Sequence, residues 1–287
     1  MLPVARRKYR IDPNDPRAPA ADVWAEMTPA ERAAVVAELP SEFEASEEFL
    51  PEGTAHFEAK VRTRTVLRTH FERTGRSFFI ACELPIYYPG ERMFAPDIMV
   101  VLDVPETNRQ SWIVSHEGRG VDVAMEILYS GRRRKDLVHN VERYGRLGIP
   151  EYFVFDALKL SLRGYRLGPG ETSYQALLPN RGRLCSMMLG LDLGIVDGNL
   201  RFYRDEALLP EPTELLAQLT KAVDEQMQRR LEAEERQLEA EERQLEAEER
   251  AEAQAQALAE EARLRAQAEQ KLAQALAELD RLRHGST

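Results

Sequence analysis

Two segments of this chain, Phe94–Val101 and Val121–Leu128, are too apolar to lie anywhere except inside a sheet, yet each carries a carboxylate near a strand end. Asp97 follows Pro96 at the start of the first, and Glu126 stands 29 residues later near the end of the second. Desolvating a carboxylate is costly unless a partner compensates. Two of them on neighbouring strands repel each other unless a cation lies between them. The pair therefore points to a divalent-metal site. Mg²⁺ or Mn²⁺ would suit it, since hard cations take one or two protein carboxylates and complete their shell with water and substrate phosphate. An ion held this way activates water and stabilises charge developing on a phosphodiester. The plainer alternative is that Asp97 caps a turn and Glu126 pairs with a structural arginine.

Local signals place these strands in a mixed α/β domain. Thr28-Pro29-Ala30-Glu31 is a capping box with proline at the first helical position, and Pro40 ends the helix it starts. A longer helix runs from Thr54 to Thr74 and stops at Gly75. Phe78–Cys82 reads as a strand and Tyr88-Pro89-Gly90 as a turn. After the two acidic strands comes a basic helix from about Arg133 to Leu147, stopped by Gly148 and Pro150. Glu151–Asp156 is an aromatic, β-branched strand, and 159–203 reads as short strands between glycine-containing turns. Trp112 and Tyr152-Phe153 are expected in the core.

The end of the chain obeys a different rule. Leu231-Glu232-Ala233-Glu234-Glu235-Arg236-Gln237 repeats from Leu238, and again from Leu245 apart from its last residue. A paired coil needs apolar residues at both a and d, whereas this repeat offers one leucine per heptad. Glu232/Arg236, Glu239/Arg243 and Glu246/Arg250 support a single helix at i,i+4. Leu272, Leu276, Leu279 and Leu282 are better spaced for pairing, so weak homo-oligomerisation through the tail is expected. The predicted division is an N-terminal arm with a short helix over 1–45, an α/β domain over 46–210, and a charged helical, coiled-coil-like tail over 211–287.

Charge and cysteine narrow the setting. From Lys221 onward 17 Asp/Glu face 11 Lys/Arg, a net −6, which leaves −4 of the total −10 for the rest. That balance disfavours strong non-specific binding of a polyanion while leaving room for a local basic groove. Cys82 and Cys185 lack C-x-x-C spacing and suit a reducing cytoplasm. The basic start has no apolar stretch behind it, and no apolar run reaches membrane-spanning length. A cytoplasmic protein without a membrane partner is the expectation.

Several short motifs then fall in order: Val123–Ser130, Arg132–Leu137, Tyr144, Gly148–Asp156, Leu189–Leu193 and Asp197–Arg201, with His56 upstream in the first long helix. Over about residues 46 to 205 this succession resembles the Uma family of restriction-endonuclease-like proteins, within the PD-(D/E)XK nuclease superfamily, where a charged helical tail is common. The resemblance implies a restriction-endonuclease-like mixed sheet flanked by helices. It also implies a metal-dependent endonuclease acting on DNA, with Asp97 as the motif aspartate and Glu126 as the second acid. The superfamily places a lysine two residues after that acid, where this chain has Leu128. Uma-type proteins often place it on the following helix, four residues after an aspartate matching Asp136, where this chain has Asn140.

Asn140 can orient water or phosphate but cannot act as acid or base near pH 7. Arg132, Arg133, Arg134 and Lys135 form a basic cluster that Arg143 and Arg146 extend. Phosphate contact through this cluster competes with a solvated helix start. Lys60, Arg64 and Arg68 form a further i,i+4 stripe on the side of Phe57 and Phe71, which suits a cleft-facing row and, more cheaply, aliphatic stems snorkelling over an apolar patch. His56 is read as a helix-start or packing residue. A catalytically inactive nuclease fold that binds nucleic acid or protein, and a pure interaction protein working through its tail, are the competing functions.

Overall fold

Strand alternation fixes this molecule, because one central sheet presents two different apolar faces. The computed structural model describes residues 9–42, 53–129 and 135–284, with side chains at 135, 136 and 280–284 outside the description. The first strands are β1 (Phe78–Ala81), β2 (Ile86–Tyr87), β3 (Ile98–Leu102), β4 (Trp112–Ile113), β5 (Val123–Leu128) and β6 (Glu151–Asp156). They are followed by β7 (Ser161–Arg166), β8 (Gln175–Ala176), β9 (Leu184–Ser186), β10 (Leu191–Val196), β11 (Asn199–Arg204) and β12 (Ala207–Leu208). The central sheet has the order β1-β3-β5-β6-β7-β8, antiparallel throughout except for the parallel pair β5/β6. A parallel pair needs a crossover.

The helices follow the sequence signals closely. α1 (Ala21–Glu26) precedes α2 (Pro29–Glu38), whose Thr28 and Glu31 form the reciprocal capping box. α3 (Thr54–Thr74) ends where Gly75 turns left-handed at φ 69°. α4 (Val114–Glu117) is a single turn, and α5 (Asn140–Arg146) supplies the β5-to-β6 crossover. The helix expected from Arg133 is different at its start: Lys135–His139 is a π-helical turn that runs into α5.

Along β3 and β5, Ile98, Val100, Leu102, Val123, Met125 and Ile127 join one core with Leu67 and Phe71 of α3. The alternate residues Met99, Val101, Ala124 and Leu128 join a second core with Tyr144 of α5, Trp112 and Tyr152. The chain therefore has helices on both faces of the sheet, the architecture expected of a mixed α/β domain. A second sheet, β12-β11-β10-β9, is antiparallel and contributes Leu184, Leu191, Leu193 and Phe202 to the α3-side core.

One buried carboxylate ties the two sheets together. Glu151, 1% exposed at the start of β6, accepts from Arg166 Nε at 2.8 Å and Met187 N at 2.9 Å. Its other oxygen accepts from Ser186 Oγ, and from Met188 N at 3.4 Å.

The last helix, α6 (Pro212–His284), runs for 73 residues, and the chain divides into two units after Leu215. Leu231, Leu238, Leu245, Leu272, Leu276 and Leu279 are all more than half exposed along it. Arg243–Glu239 and Arg250–Glu246 form as expected, while Arg236 Nε donates to the Glu232 carbonyl oxygen instead of its side chain. Among the described residues no helix is long and apolar enough to cross a membrane.

Removing Glu151 strands a half-buried guanidinium, a buried hydroxyl and two peptide donors. We expect Glu151→Ala to lower the unfolding free energy by about 3 kcal/mol or more, measured by urea denaturation of the full chain. A loss under 1 kcal/mol would show that these donors find water instead.

Candidate active site

Register brings the two strand carboxylates together. β3 and β5 are antiparallel, with Ile98 opposite Met125, Met99 opposite Ala124 and Val100 opposite Val123. One residue beyond this ladder Asp97 falls opposite Glu126, and opposed residues on paired strands share a face. Two cross-bonds close that end. Asp97 N donates to Glu126 Oε2 at 3.2 Å, and Ile127 N donates to Asp97 Oδ2 at 2.6 Å. Peptide donors to a carboxylate are among the stronger hydrogen bonds in proteins, so each acid is fixed by the other's backbone.

The crossover helix completes the setting of Glu126, which is 8% exposed. Asn140 Nδ2 donates to Glu126 Oε1 at 3.1 Å, and Tyr144 Oη donates to the same oxygen at 3.2 Å. The two donors are one turn apart on α5 and therefore share a face. Tyr144 packs edge-on against Tyr152 of β6, with ring centroids 5.0 Å apart.

From the other side of the sheet, α3 contributes two further residues. His56, expected as a helix-start or packing residue, stands in the first turn of α3 with its Nε2 3.1 Å from Asp97 Oδ2. One turn on, Lys60 is 2% exposed, with its Nζ 2.8 Å from Glu83 Oε1. Its ammonium does not snorkel to open solvent. Lys60 shares its face with buried Phe71, while Phe57 on that side is exposed. The acidic partner could not be seen, because Glu83 lies in an irregular loop. The rest of that stripe makes ordinary contacts: Arg64 Nε reaches the Ile80 carbonyl at 3.4 Å, and Arg68 pairs with Glu72 and Glu106.

The remaining candidates separate. Leu128, at the superfamily's lysine position, is packed in the α5-side core. Asn140 is 3% exposed and committed to Glu126. Arg132, Arg133 and Arg134 lie outside the described residues, as does the side chain of Lys135. Arg143 was grouped with them as a phosphate contact. Its guanidinium instead meets Glu91 at 3.2 Å, donates to the Arg92 carbonyl, and sits 4.5 Å over the Phe94 ring. Burial holds the Arg143 pKa below its ordinary value despite Glu91. Burial alone would raise the Glu91 carboxyl, but Arg143 and Arg146 bring it below the usual range. This cluster reads as a structural ion pair.

The donor set suits a hard cation. Among the described residues, Asp97 Oδ1 accepts no hydrogen bond, while its other oxygen and both oxygens of Glu126 are positioned by donors. No group of three or more His, Cys, Asp or Glu side chains among the described residues is arranged to hold a metal ion. An ion here would rest on two carboxylates and take water or phosphate for its other positions, the mode Mg²⁺ favours.

A family match over this mixed sheet makes the chain a restriction-endonuclease-like protein. The Uma2 family model, described as "Putative restriction endonuclease", matches residues 45–196, more than half of the chain, and the chain belongs to that family. Among solved structures it resembles the crystal structure of "a putative nuclease belonging to DUF820" from Anabaena variabilis ATCC 29413. That match has 16% identity and a TM-score of 0.39, covering 49% of this chain and 76% of the other. No curated protein matches the chain.

Cys82 reports on the charges gathered beside Asp97. Burial pushes its thiol up to about 11, with Arg64 and Lys60 opposing the rise and Glu83 and Asp97 adding to it. The thiolate is the reactive form. At pH 8 iodoacetamide should therefore label exposed Cys185 well before Cys82, read by peptide mass spectrometry; equal rates would contradict this burial.

Proposed function

We propose that this protein is a divalent-metal-dependent endonuclease that hydrolyses DNA phosphodiester bonds at the Asp97–Glu126 pair. The observation that carries this reading is the register-fixed opposition of two carboxylates, with Asp97 Oδ1 accepting no hydrogen bond among the described residues. Family membership supports the reaction class. The metal would supply Lewis acidity and a bound water of lowered pKa. The chain's own residues have separate tasks. Asp97 and Glu126 hold the cation, Asn140 and Tyr144 fix the Glu126 carboxylate, and His56 fixes the Asp97 carboxylate. Asn140 neither takes nor gives a proton near pH 7, so it positions a ligand and is not the general base.

With a net charge of −10 for the whole chain, contact with DNA has to be local. Arg132, Arg133, Arg134 and Lys135 follow β5 directly in sequence and are the residues assigned to that contact. The exposed leucines of α6 suit weak self-association through the tail.

A second reading is favoured by one observation: both Leu128 and Asn140 stand where relatives are expected to carry lysine. In that reading the nuclease fold is retained as a nucleic-acid-binding module without turnover.

Plasmid nicking in Mg²⁺ and in Mn²⁺ separates the two. Nicking by the wild-type chain should disappear in Asp97→Asn and in Glu126→Gln; nicking that survives both substitutions rules out the site. Asn140→Lys should accelerate nicking about 10²-fold if a positioned cationic base is what the site lacks. An unchanged rate would show that position 140 only braces Glu126. Sedimentation of the full chain against one ending near Pro210 tests the tail, with a heavier species expected for the full chain alone; identical monomer masses would remove that part of the proposal.

A further inference from the structure

We infer that Lys60 supplies, from α3, the phosphate-binding cation that the acid pair lacks at Leu128 and Asn140. This rests on the nuclease reading above and adds a residue to it.

Lys60 is a full-length cationic side chain enclosed by the fold. It is 2% exposed, between buried Ala59 and Thr63 on a helix whose inner face belongs to the core. A buried ammonium persists only with a partner, and Glu83 Oε1 stands at 2.8 Å. Glu83 is placed by the acid site itself, because its backbone N–H is shared between the Pro96 and Asp97 carbonyls at 3.2 and 3.3 Å. It also adopts φ 51°, a left-handed conformation uncommon for a residue with a β-carbon. Meanwhile His56, one turn earlier on the same face of α3, meets Asp97 Oδ2. Two successive inward positions of one helix thus meet Asp97 directly, through His56, and Glu83, whose peptide is bonded to Pro96 and Asp97, through Lys60.

The two members of the Lys60–Glu83 pair are unequal. Lys60 is enclosed, while the Glu83 side chain is half exposed. A counter-ion that faces solvent is one that an incoming anion can displace. The chain neighbours of the pair, Val61, Cys82 and Leu84, line an open groove of about 550 Å³ together with Arg64.

The chemistry asks for such a group. As water attacks phosphorus, the new oxygen–phosphorus bond forms while the bond to the leaving oxygen breaks. Negative charge accumulates on the non-bridging oxygens, and a fixed cation stabilises it. The water's proton passes to solvent, and the leaving oxygen is protonated from solvent. Lys60 stays protonated throughout and donates a hydrogen bond to a non-bridging oxygen, so it is not the base.

The test uses the full chain with Lys60→Met, Lys60→Arg and Glu83→Gln. It has two readouts: plasmid nicking in Mg²⁺, and anisotropy of a labelled duplex in EDTA over a salt series. Lys60→Met should slow nicking about 10²-fold and reduce the salt slope of binding by about one. Lys60→Arg should restore most of both. Glu83→Gln keeps a hydrogen-bond acceptor for Lys60 while removing the competing charge, so it should tighten binding. A purely structural pair would behave differently, with Lys60→Met and Glu83→Gln lowering the melting temperature together and neither changing the salt slope. That outcome overturns the inference, as does a Lys60→Met chain that nicks and binds like wild type. Asp97→Asn separates this failure from failure of the nuclease reading. If Asp97→Asn still nicks, or the wild-type chain never does, the metal-free binding series decides on Lys60 alone; no salt-dependent binding by wild type also overturns it.

Discussion

The antiparallel register of β3 against β5 is the constraint on which the site depends. A slip of one residue would send Glu126 to the opposite face of the sheet, away from Asn140 and Tyr144 and into the core that α3 covers. The slip is prevented by apolar alternation, since Val123, Met125 and Ile127 fill one core while Ala124 and Leu128 fill the other. Packing of ordinary aliphatic residues thus positions the two acids, and the cross-bonds at Asp97 and Ile127 close a ladder that is already set.

The central layer of this design was legible before any coordinates. The strands β3 and β5 are declared by composition, although β3 begins only at Ile98, just after Asp97; the 54–74 helix is declared by its terminal Gly75 and α2 by its capping box. These are local signals, readable within a few residues. The family resemblance added the roles implied for Asp97 and Glu126, and the family itself is matched over 45–196. What stayed hidden depends on contacts between distant segments. His56 looks like any histidine near a helix start until α3 is docked. Glu83 looks like a loop carboxylate until its peptide is seen hooked to Pro96 and Asp97. Arg143 looked like part of a phosphate-binding patch because sequence shows its charge and not its counter-ion, Glu91.

The π-helical turn at Lys135–His139 shows a different limit. The stop signals Gly148 and Pro150 predict a helix through this stretch but not its winding, and the wider π turn shifts the phase with which α5 begins. Such turns recur at functional sites. Here the phase is the one that puts Asn140 and Tyr144 together on Glu126.

The parallel β5/β6 pair gives the acid site one more property. Asn140 and Tyr144 belong to the crossover that such a pair requires, 14 and 18 residues beyond Glu126, whereas Asp97 lies 29 residues before it. The setting of the carboxylate is therefore complete only when the crossover helix has docked on the sheet and β3 has also paired with β5. A half-assembled chain would carry the same acids without the arrangement that opposes and braces them.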